Sequence, residues 1–225
     1  MRFLKRQELR WRRMNKVNYS KELEKKLSLI QREIDSHGLS VRPTLLLHSC
    51  CGPCSSYVLE YLEPYFKITV FYFNPCIFPR SEYLHRKEVQ KELISQMNKN
   101  GSEISFLDAD YDHDSFLDLV KGHENDPECG ERCHICYRQR LSQAAVYAKE
   151  GKYDYFTTTL TVSPYKDAEI LNKLGAELSR DYEIPYLLSD FKKKEGYKRS
   201  IELSKAYNLY RQDYCGCEFS LRDCG

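Results

Sequence analysis

Apolar positions follow a helical period in the first part of the chain. Over residues 20–37 they recur at spacings of four, three and four positions, which places them on one face of a helix. This apolar stripe consists of Leu23, Leu27, Ile30 and Ile34. Ser20 suits an N-terminal cap and Gly38 a C-terminal stop, so the sequence predicts an amphipathic helix between them.

The pattern changes from residue 44 onward, where short apolar runs rich in β-branched and aromatic residues alternate with longer segments of helical period. The short runs predict strands at 44–48, 67–73, 103–109 and 153–160, with a fifth at 184–188. The longer segments predict helices at 54–62, 80–100, 133–150, 165–181 and 195–209. Because strands separated by helices form βαβ units, we expect an α/β protein with an open parallel sheet of about five strands flanked by helices.

The ends of the predicted strands indicate where a ligand would bind. In open α/β sheets, ligands bind in the crevice at the carboxyl ends of the strands. The loop SCCGPC (49–54) follows the first strand, FNPC (73–76) follows the second, and TLTVSP (159–164) follows the fourth. We therefore expect three loops to converge at one edge of the sheet, with the cysteines of the first loop in the crevice.

Ten cysteines give this crevice its candidate chemistry. The N-terminus lacks the apolar segment of a secretory signal, and no window is apolar over the ~18 residues that a membrane helix needs, so we expect a cytoplasmic protein without a membrane partner. The cytosol keeps thiols reduced, which favours metal binding or redox chemistry over structural disulfides. The cysteines fall in three clusters, with Cys76 apart: Cys50, Cys51 and Cys54; Cys129, Cys133 and Cys136; Cys215, Cys217 and Cys224.

Two of these clusters can supply four thiolates to one metal centre. The spacing of Cys133 and Cys136 puts both sulfurs on one face of a helical turn. Cys50 and Cys51 can add two more if the chain leaves strand geometry there, and spacing leaves open whether Cys51 pairs instead with Cys54. The two pairs lie about 80 residues apart on different elements, whereas the ligand pairs of structural zinc sites usually lie within ~12–20 residues. This separation favours an iron–sulfur cluster over structural zinc.

The third cluster contains a C-x-C pair, Cys215 and Cys217. A disulfide across one residue is strained, and strained disulfides are the more oxidising, labile kind. The pair is therefore a candidate for passing two electrons, with Arg211 nearby to favour a thiolate. Two further metal ligands, or two buried cysteines without a chemical role, are the alternatives. Cys129 and Cys224 are weaker candidates for any role.

Charge divides the chain unevenly. Residues 1–43 carry 12 Lys and Arg against 5 Asp and Glu, a net charge of +7 in a chain whose net charge is +2. A basic extension on a mildly acidic body fits a polyanionic partner, nucleic acid first of all, and equally fits a solvated surface helix. We divide the chain into a basic helical extension (1–43) and an α/β catalytic domain with the iron–sulfur site (44–225). ATP is not expected, because cysteines stand where nucleotide-activating enzymes keep a Gly-rich phosphate loop.

Five segments, in their order along the chain, resemble the QueH-type, cobalamin-independent epoxyqueuosine reductases. These segments are HSCCGPC (48–54), ERCHICYRQRL (131–141), TLTVSPYKD (159–167), DFKKKEGYKRSIELSK (190–205) and LYRQDYCGC (209–217). The resemblance covers residues 44 to about 220 and implies a nucleotide α-hydrolase-like, Rossmann-like fold. It also implies the last step of queuosine synthesis, in which epoxyqueuosine at the wobble position of tRNA is reduced to queuosine by two-electron removal of the epoxide oxygen.

The same resemblance implies roles for the cysteines. The ligands of a [4Fe-4S] cluster would be Cys50, Cys51, Cys133 and Cys136, and the redox-active pair, able to form a disulfide, would be Cys215 and Cys217. Cys54 would lie close by as a candidate ligand of a second, mononuclear iron. Asn is expected at position 76, so Cys76 is not counted as a ligand.

The implied partners are a tRNA that carries epoxyqueuosine and an external electron donor. Candidate contacts to the tRNA phosphates are the N-terminal extension and the residues Arg138, Arg140, Lys192, Lys193, Lys194 and Lys198. One alternative is a non-catalytic, metal-binding module that binds tRNA, for which Cys215 and Cys217 would be dispensable. Another is a cysteine-based redox relay acting on proteins, which would not need iron.

Overall fold

The structure, a computed structural model, describes residues 17–223 of the chain. The strands are β1 (Thr44–His48), β2 (Lys67–Tyr72), β3 (Ser105–Asp108) and β4 (Tyr155–Thr158). The helices are α1 (Tyr19–His37), α2 (Gly52–Leu62), α3 (Arg80–Lys99), α4 (His113–Leu119), α5 (Glu131–Glu150), α6 (Ala168–Asp181) and α7 (Gly196–Ala206). Short 3₁₀ helices occupy Leu39–Val41, Thr159–Val162 and Glu218–Asp223. Within residues 17–223, no helix combines the length and the apolar character that a membrane span requires.

The four strands form one parallel sheet in the order β3-β2-β1-β4. From β1 the chain adds β2 and then β3 on one side of the sheet, and it then crosses back to add β4 on the other side of β1. His48, the last residue of β1, is level with Phe71 of β2 and Thr158 of β4. The carboxyl ends of these three strands therefore meet at the switch point, where open α/β sheets bind their ligands.

The α/β class and the parallel sheet predicted from the sequence are confirmed, with four strands rather than about five. The predicted fifth strand makes an isolated parallel bridge between Phe156 and Tyr186. Pro185 accepts one hydrogen bond from β4 but has no N–H to donate, so the ladder does not extend. Helix α4 was not predicted from the sequence; Asp112 accepts from the Ser115 N–H and caps it.

Helix α1 packs into the core of the domain. Its four predicted apolar residues are at most 5% exposed and join the cluster formed by β1, β2, α2 and α3. Burying each such side chain contributes roughly 1.5–3 kcal/mol of transfer free energy. The division of the chain at residue 43 stays a prediction. The part of the basic extension before residue 17 lies outside the described residues, as does Cys224.

Candidate metal centre and reaction cavity

Three cysteine sulfurs meet where β1 leads into α2. Cys51 has extended backbone angles and caps α2, which begins at the next residue. The Sγ atoms of Cys50 and Cys51 are 3.8 Å apart, close to the ~3.8 Å between two thiolates bound tetrahedrally at ~2.3 Å from one ion. Cys54 follows in the first turn of α2, and the three sulfurs all lie within 4.8 Å of one another. The turn thus brings adjacent cysteines to one side of the chain, as a shared metal requires.

These three thiols differ in how readily they ionise. Hydrogen bonds from Cys51 and Cys54 hold the pKa of the Cys50 thiol well below its usual value. The same contact with Cys50 raises the pKa of Cys51 to about 12, and contacts with both neighbours raise the pKa of Cys54 well above normal. Further deprotonation would place like charges side by side, so it needs a cation among the sulfurs. The group is therefore suited to bind a metal, which displaces the remaining thiol protons.

His48 fixes the strand ends beneath this group. Its ring is fully buried, with Nε2 3.1 Å from the Phe73 carbonyl oxygen and Nδ1 2.9 Å from the Thr158 hydroxyl. The carbonyl can only accept, so Nε2 donates to it and Nδ1 accepts from the hydroxyl. Burial, reinforced by Arg140, lowers the pKa of His48 to about 4. The imidazole is thus neutral at pH 7, and it ties the end of β1 to the segments that follow β2 and β4.

A second thiol pair lies across the crevice. Cys76 and Cys136 are buried in one apolar cluster, 1% and 7% exposed, and their thiols are hydrogen-bonded to each other. That contact lowers the pKa of Cys76 to about 6 and raises the pKa of Cys136 well above normal. Cys133, one turn earlier on α5, is half-buried, and its sulfur accepts from the Cys129 N–H at 3.3 Å. The fold thus places Cys76 in direct contact with a predicted ligand, although its isolation in the sequence gave no sign of this.

A buried cation lies between the two thiol groups. Arg140 is 2% exposed, and its Nη1 donates to Asn74 Oδ1 at 3.3 Å. Its Nε and Nη2 have no hydrogen-bond partner among the described residues. Burial by itself would lower the pKa of Arg140, but nearby sulfurs, Cys136 foremost, raise it well above normal. Buried donors without partners are costly, and an anionic sulfur-ligated group would satisfy them. The surroundings therefore suit an anionic metal centre held by thiolates.

The C-x-C segment is held by Arg86. This buried guanidinium pairs with Glu82 at 2.6 Å and donates to the carbonyl oxygens of Tyr214 and Cys215 at 3.5 and 3.1 Å. Gly216 has a φ of +101°, and a Cβ there would lie 2.8 Å from Arg86 Nη1. Glycine is therefore required by both the left-handed backbone and the close approach of the guanidinium.

The two sulfurs of this segment have different surroundings. Cys215 lines a cavity and accepts from Lys166 Nζ at 3.4 Å. Cys217 is 9% exposed and belongs to the apolar cluster that contains Cys76. Burial raises the pKa of Cys217 to about 12. One thiol of the pair therefore faces a cavity beside a cation, and the other faces the protein interior.

One cavity of about 260 Å³ joins the cysteine groups. Cys50, Cys54 and Cys215 line it, together with Lys166. Its other walls include the aromatic residues Tyr165, Tyr197 and Tyr214 and the polar residues Glu128, Arg211, Gln212 and Asp213. Larger cavities, of about 650 and 740 Å³, lie beside α1 and have no cysteine in their walls. The smaller cavity is therefore the one where the thiols can meet a small organic group.

Sequence reasoning assigned no role to three residues that line the cavity or hold the C-x-C segment, namely Gln212, Lys166 and Arg86. Gln212 Nε2 donates to Cys51 Sγ at 2.9 Å and joins the C-terminal segment to the first thiol group. Lys166 is the cation that contacts Cys215, whereas Arg211 donates to Ser204 Oγ at 3.0 Å. Arg86 acts on the C-x-C segment across 129 residues of sequence. Isolated Lys, Arg and Gln residues carry no spacing signal, so only tertiary contacts reveal them.

The basic residues predicted to contact tRNA are placed differently from one another. Lys193, Lys194 and Lys198 are exposed near the start of α7, and Lys192 beside them donates to the Lys166 carbonyl at 2.8 Å. Exposed Arg138 pairs with Glu177 at 3.0 Å. Arg140 does not fit the prediction, because its guanidinium is buried against the thiols and is not presented to solvent.

Comparisons with known proteins agree on one family. The family model for "Epoxyqueuosine reductase QueH" matches residues 45–223. The QueH proteins of Staphylococcus epidermidis and Streptococcus pyogenes are 43% and 40% identical over 208 residues. These alignments cover 91% and 92% of this chain and 85% and 79% of those proteins.

Among solved structures, the U34-tRNA thiolase NcsA from Methanococcus maripaludis with its [4Fe-4S] cluster matches with a TM-score of 0.45 and 14% identity. The match covers 88% of this chain and 68% of that one.

Proposed function

The chain belongs to the QueH family of epoxyqueuosine reductases, and we propose that the cavity between its cysteine groups is where the epoxide of epoxyqueuosine in tRNA is reduced. One observation carries this assignment: Cys50, Cys54 and Cys215 line the same cavity, of about 260 Å³. Two thiols of the β1–α2 turn and one sulfur of the redox-capable pair thus face one space. That space admits a small organic group but not the body of a tRNA.

We propose that the cavity wall includes a [4Fe-4S] cluster. Its ligands would be Cys50 and Cys51 from the β1–α2 turn, and Cys133 and Cys136 from α5. The unpaired donors of buried Arg140 support this, because a thiolate-ligated cluster is anionic. Cys54, within 4.8 Å of the first two sulfurs, is proposed to hold a second, mononuclear iron. When bound, the cluster would supply electrons one at a time at a potential set by its surroundings.

The reaction balances with one thiol pair. Removing an epoxide oxygen breaks two C–O bonds, forms a C=C bond and releases water, which requires two electrons and two protons. Oxidation of Cys215 and Cys217 to a disulfide supplies the two electrons. Two thiols would also release both protons, and if Cys215 reacts as a thiolate the second proton comes from the ammonium of Lys166, which contacts its sulfur. An external electron donor must then reduce the disulfide for the next turnover. The C-x-C spacing and the accessible Cys215 sulfur support this assignment.

The residues around Cys215 have separate tasks in this proposal. Arg86 fixes the backbone of the segment, and Gly216 allows the guanidinium to approach. The aromatic side chains of Tyr165 and Tyr197 offer surfaces on which an unstacked base can lie. The low dielectric of the cavity strengthens each polar contact with the substrate.

We propose that the tRNA backbone lies over the exposed lysines Lys193, Lys194 and Lys198, with Arg138 and the N-terminal extension as further contacts. Side chains of this kind bind phosphate without reading sequence. The partners in the reaction are then a tRNA that carries epoxyqueuosine and an electron donor in the cytoplasm, with no ATP.

An anaerobic assay tests the proposal. Purified protein, reconstituted with iron and sulfide and supplied with dithionite, is incubated with tRNA that contains epoxyqueuosine, and the nucleosides are analysed by mass spectrometry. We expect loss of one oxygen atom from the nucleoside, and about four irons per chain, or five with the mononuclear iron. Protein stripped of iron by a chelator is the matched control. Unchanged nucleoside with the iron-loaded protein, or equal conversion with the stripped one, would contradict the proposal.

A further inference from the structure

Lys166 reaches into the cavity from the segment before α6. Its Nζ lies 3.4 Å from Cys215 Sγ and 5.7 Å from the centre of the Tyr137 ring. The backbone of Lys166 is fixed from behind, because Lys192 Nζ donates to its carbonyl oxygen at 2.8 Å. The ammonium group therefore has a defined place beside one particular sulfur.

The charge of Lys166 needs an anion. Burial opposes a charged ammonium, and the nearby Arg140 guanidinium repels it. Although desolvation is the largest single effect, the negative charges of Cys215 first, then Tyr137 and Cys50, together hold the pKa of Lys166 well above normal. Lys166 is half-buried, so beside a neutral thiol its charge would be only partly compensated by solvent. An ion pair between the ammonium and a thiolate resolves this.

Within the part of the chain that the structure describes, no Lys or Arg side chain donates to the sulfur of the partner thiol, and Arg132 is only a minor influence on it. Cys217 is buried among apolar residues such as Phe219 and Ile77, and burial keeps it protonated. The thiolate is the nucleophilic form of cysteine. The two members of the pair therefore differ in reactivity before any substrate binds.

We propose that Lys166 is a catalytic residue that keeps Cys215 as the reactive thiolate facing the substrate, while Cys217 remains the protonated partner that completes the disulfide. This inference rests on the proposed function, since it assigns an order to the C-x-C pair of the same reaction. It gives Lys166 a role that the spacing of the cysteines does not indicate.

Alkylation of individual cysteines tests the inference without turnover. Iron-loaded protein is treated with iodoacetamide at pH 7 under anaerobic conditions, and the modified peptides are quantified over time by mass spectrometry. Cys215 should react faster than Cys217 in the parent. Lys166→Met should slow the alkylation of Cys215 by about tenfold or more, because an ammonium in contact with the sulfur favours its ionised form. Lys166→Arg should restore most of the rate, because it keeps the charge.

Controls separate this role from a structural one. Lys149→Met removes an exposed lysine at the end of α5 and should leave the Cys215 rate unchanged. Iron content and thermal midpoint should match the parent in all variants. In the tRNA assay, Lys166→Met should lower kcat more than it changes KM.

The outcomes distinguish the inference from the function on which it rests. If the parent reduces epoxyqueuosine but Lys166→Met alkylates at the parent's rate, the inference is wrong and the function stands. If the alkylation rate of Cys215 depends on Lys166 but the parent leaves the nucleoside unchanged, the ion pair exists and the proposed function is wrong. Faster alkylation of Cys217 than of Cys215 in the parent would overturn the proposed order.

Discussion

The two cysteine groups on the cavity differ in how their sulfurs are arranged. In the β1–α2 turn, the sulfurs of Cys50, Cys51 and Cys54 lie within 4.8 Å of one another, and their contacts favour ionisation of Cys50 over the other two. In the C-x-C segment, Cys215 and Cys217 point to different surroundings, one beside a lysine and one in an apolar cluster. Crowded thiols favour a shared cation, whereas separated thiols of unequal reactivity suit stepwise redox chemistry. Cysteines at short spacings are therefore suited to metal binding in the first group and to redox chemistry in the second.

The largest effects are expected in the crowded group. Cys50→Ala and Cys51→Ala should each remove most of the iron and lower turnover by more than about 100-fold, since even outer-shell partners of a metal are worth 10–100-fold. Cys54→Ala should keep four irons and lose the fifth. Iron and sulfide analysis, with the tRNA assay, checks both outcomes. If the Cys50→Ala protein has the parent's iron content, Cys50 is not a metal ligand, and the proposed difference between the two cysteine groups is wrong.

The C-x-C pair should respond in the opposite way. Cys215→Ser and Cys217→Ser should lower turnover roughly 1,000-fold while the iron content stays at the parent's level, because groups that act as a unit are lost together. The double variant should be no worse than either single one. If either serine variant also loses iron, then the segment supplies metal ligands, and the two groups are not functionally distinct.

A smaller effect is expected from the support of the C-x-C segment. Arg86→Lys keeps a positive charge but loses the paired contacts to the carbonyl oxygens of Tyr214 and Cys215. The displaced segment should lower kcat about tenfold with unchanged iron content, in line with the sensitivity of catalysis to misplacement. Arg199→Lys is the matched control, since Arg199 makes an exposed ion pair with Glu60. Equal kcat values for the parent and Arg86→Lys would show that the guanidinium does not position Cys215.

The smallest effect should come from the N-terminus. Deleting residues 2–16 removes basic side chains and leaves α1, with its buried stripe, in the core. We expect KM for tRNA to rise about two- to fivefold and its salt dependence to weaken, because fewer phosphates are neutralised. Titrations at several salt concentrations measure both. If the deletion leaves the salt dependence of KM unchanged, these basic side chains are exposed to solvent and do not contact the tRNA phosphates.

Sequence reasoning reached most of the fold because the apolar pattern is strong there. The predicted boundaries of β1 agree with the structure, and those of α1 agree within one residue. The prediction of a fifth strand was wrong, because Pro185 has no N–H to donate and only an isolated bridge forms there. The sequence did not predict helix α4, because it is only seven residues long and the acidic residues at its start are also typical of a loop.

The candidate site was predicted in part. The convergence of the loops that follow β1, β2 and β4 was expected from the alternation of strands and helices, whereas the place of Cys215 in the same cavity as Cys50 came only from the structure. The contact of Cys76 with Cys136 was not expected, because the two lie on different elements and neither has a local pattern that points to the other. The inward orientation of Arg140 was missed for a related reason: a basic residue on a helix is usually solvated, and only the packing of α5 against the sheet buries this one.

The sequence by itself determined the parallel α/β architecture and the family. It also determined that Cys50, Cys51 and Cys54 lie together, since a strand that ends in a helix-starting turn keeps near neighbours close. The tertiary structure decided which charges accompany the sulfurs: Arg140 between the thiol groups, Lys166 at Cys215, and neither at Cys217. The physical reason is that short spacings fix local geometry through backbone conformation. The reactivity of a thiol depends instead on burial and on cations from distant segments, and these meet only when the chain has folded.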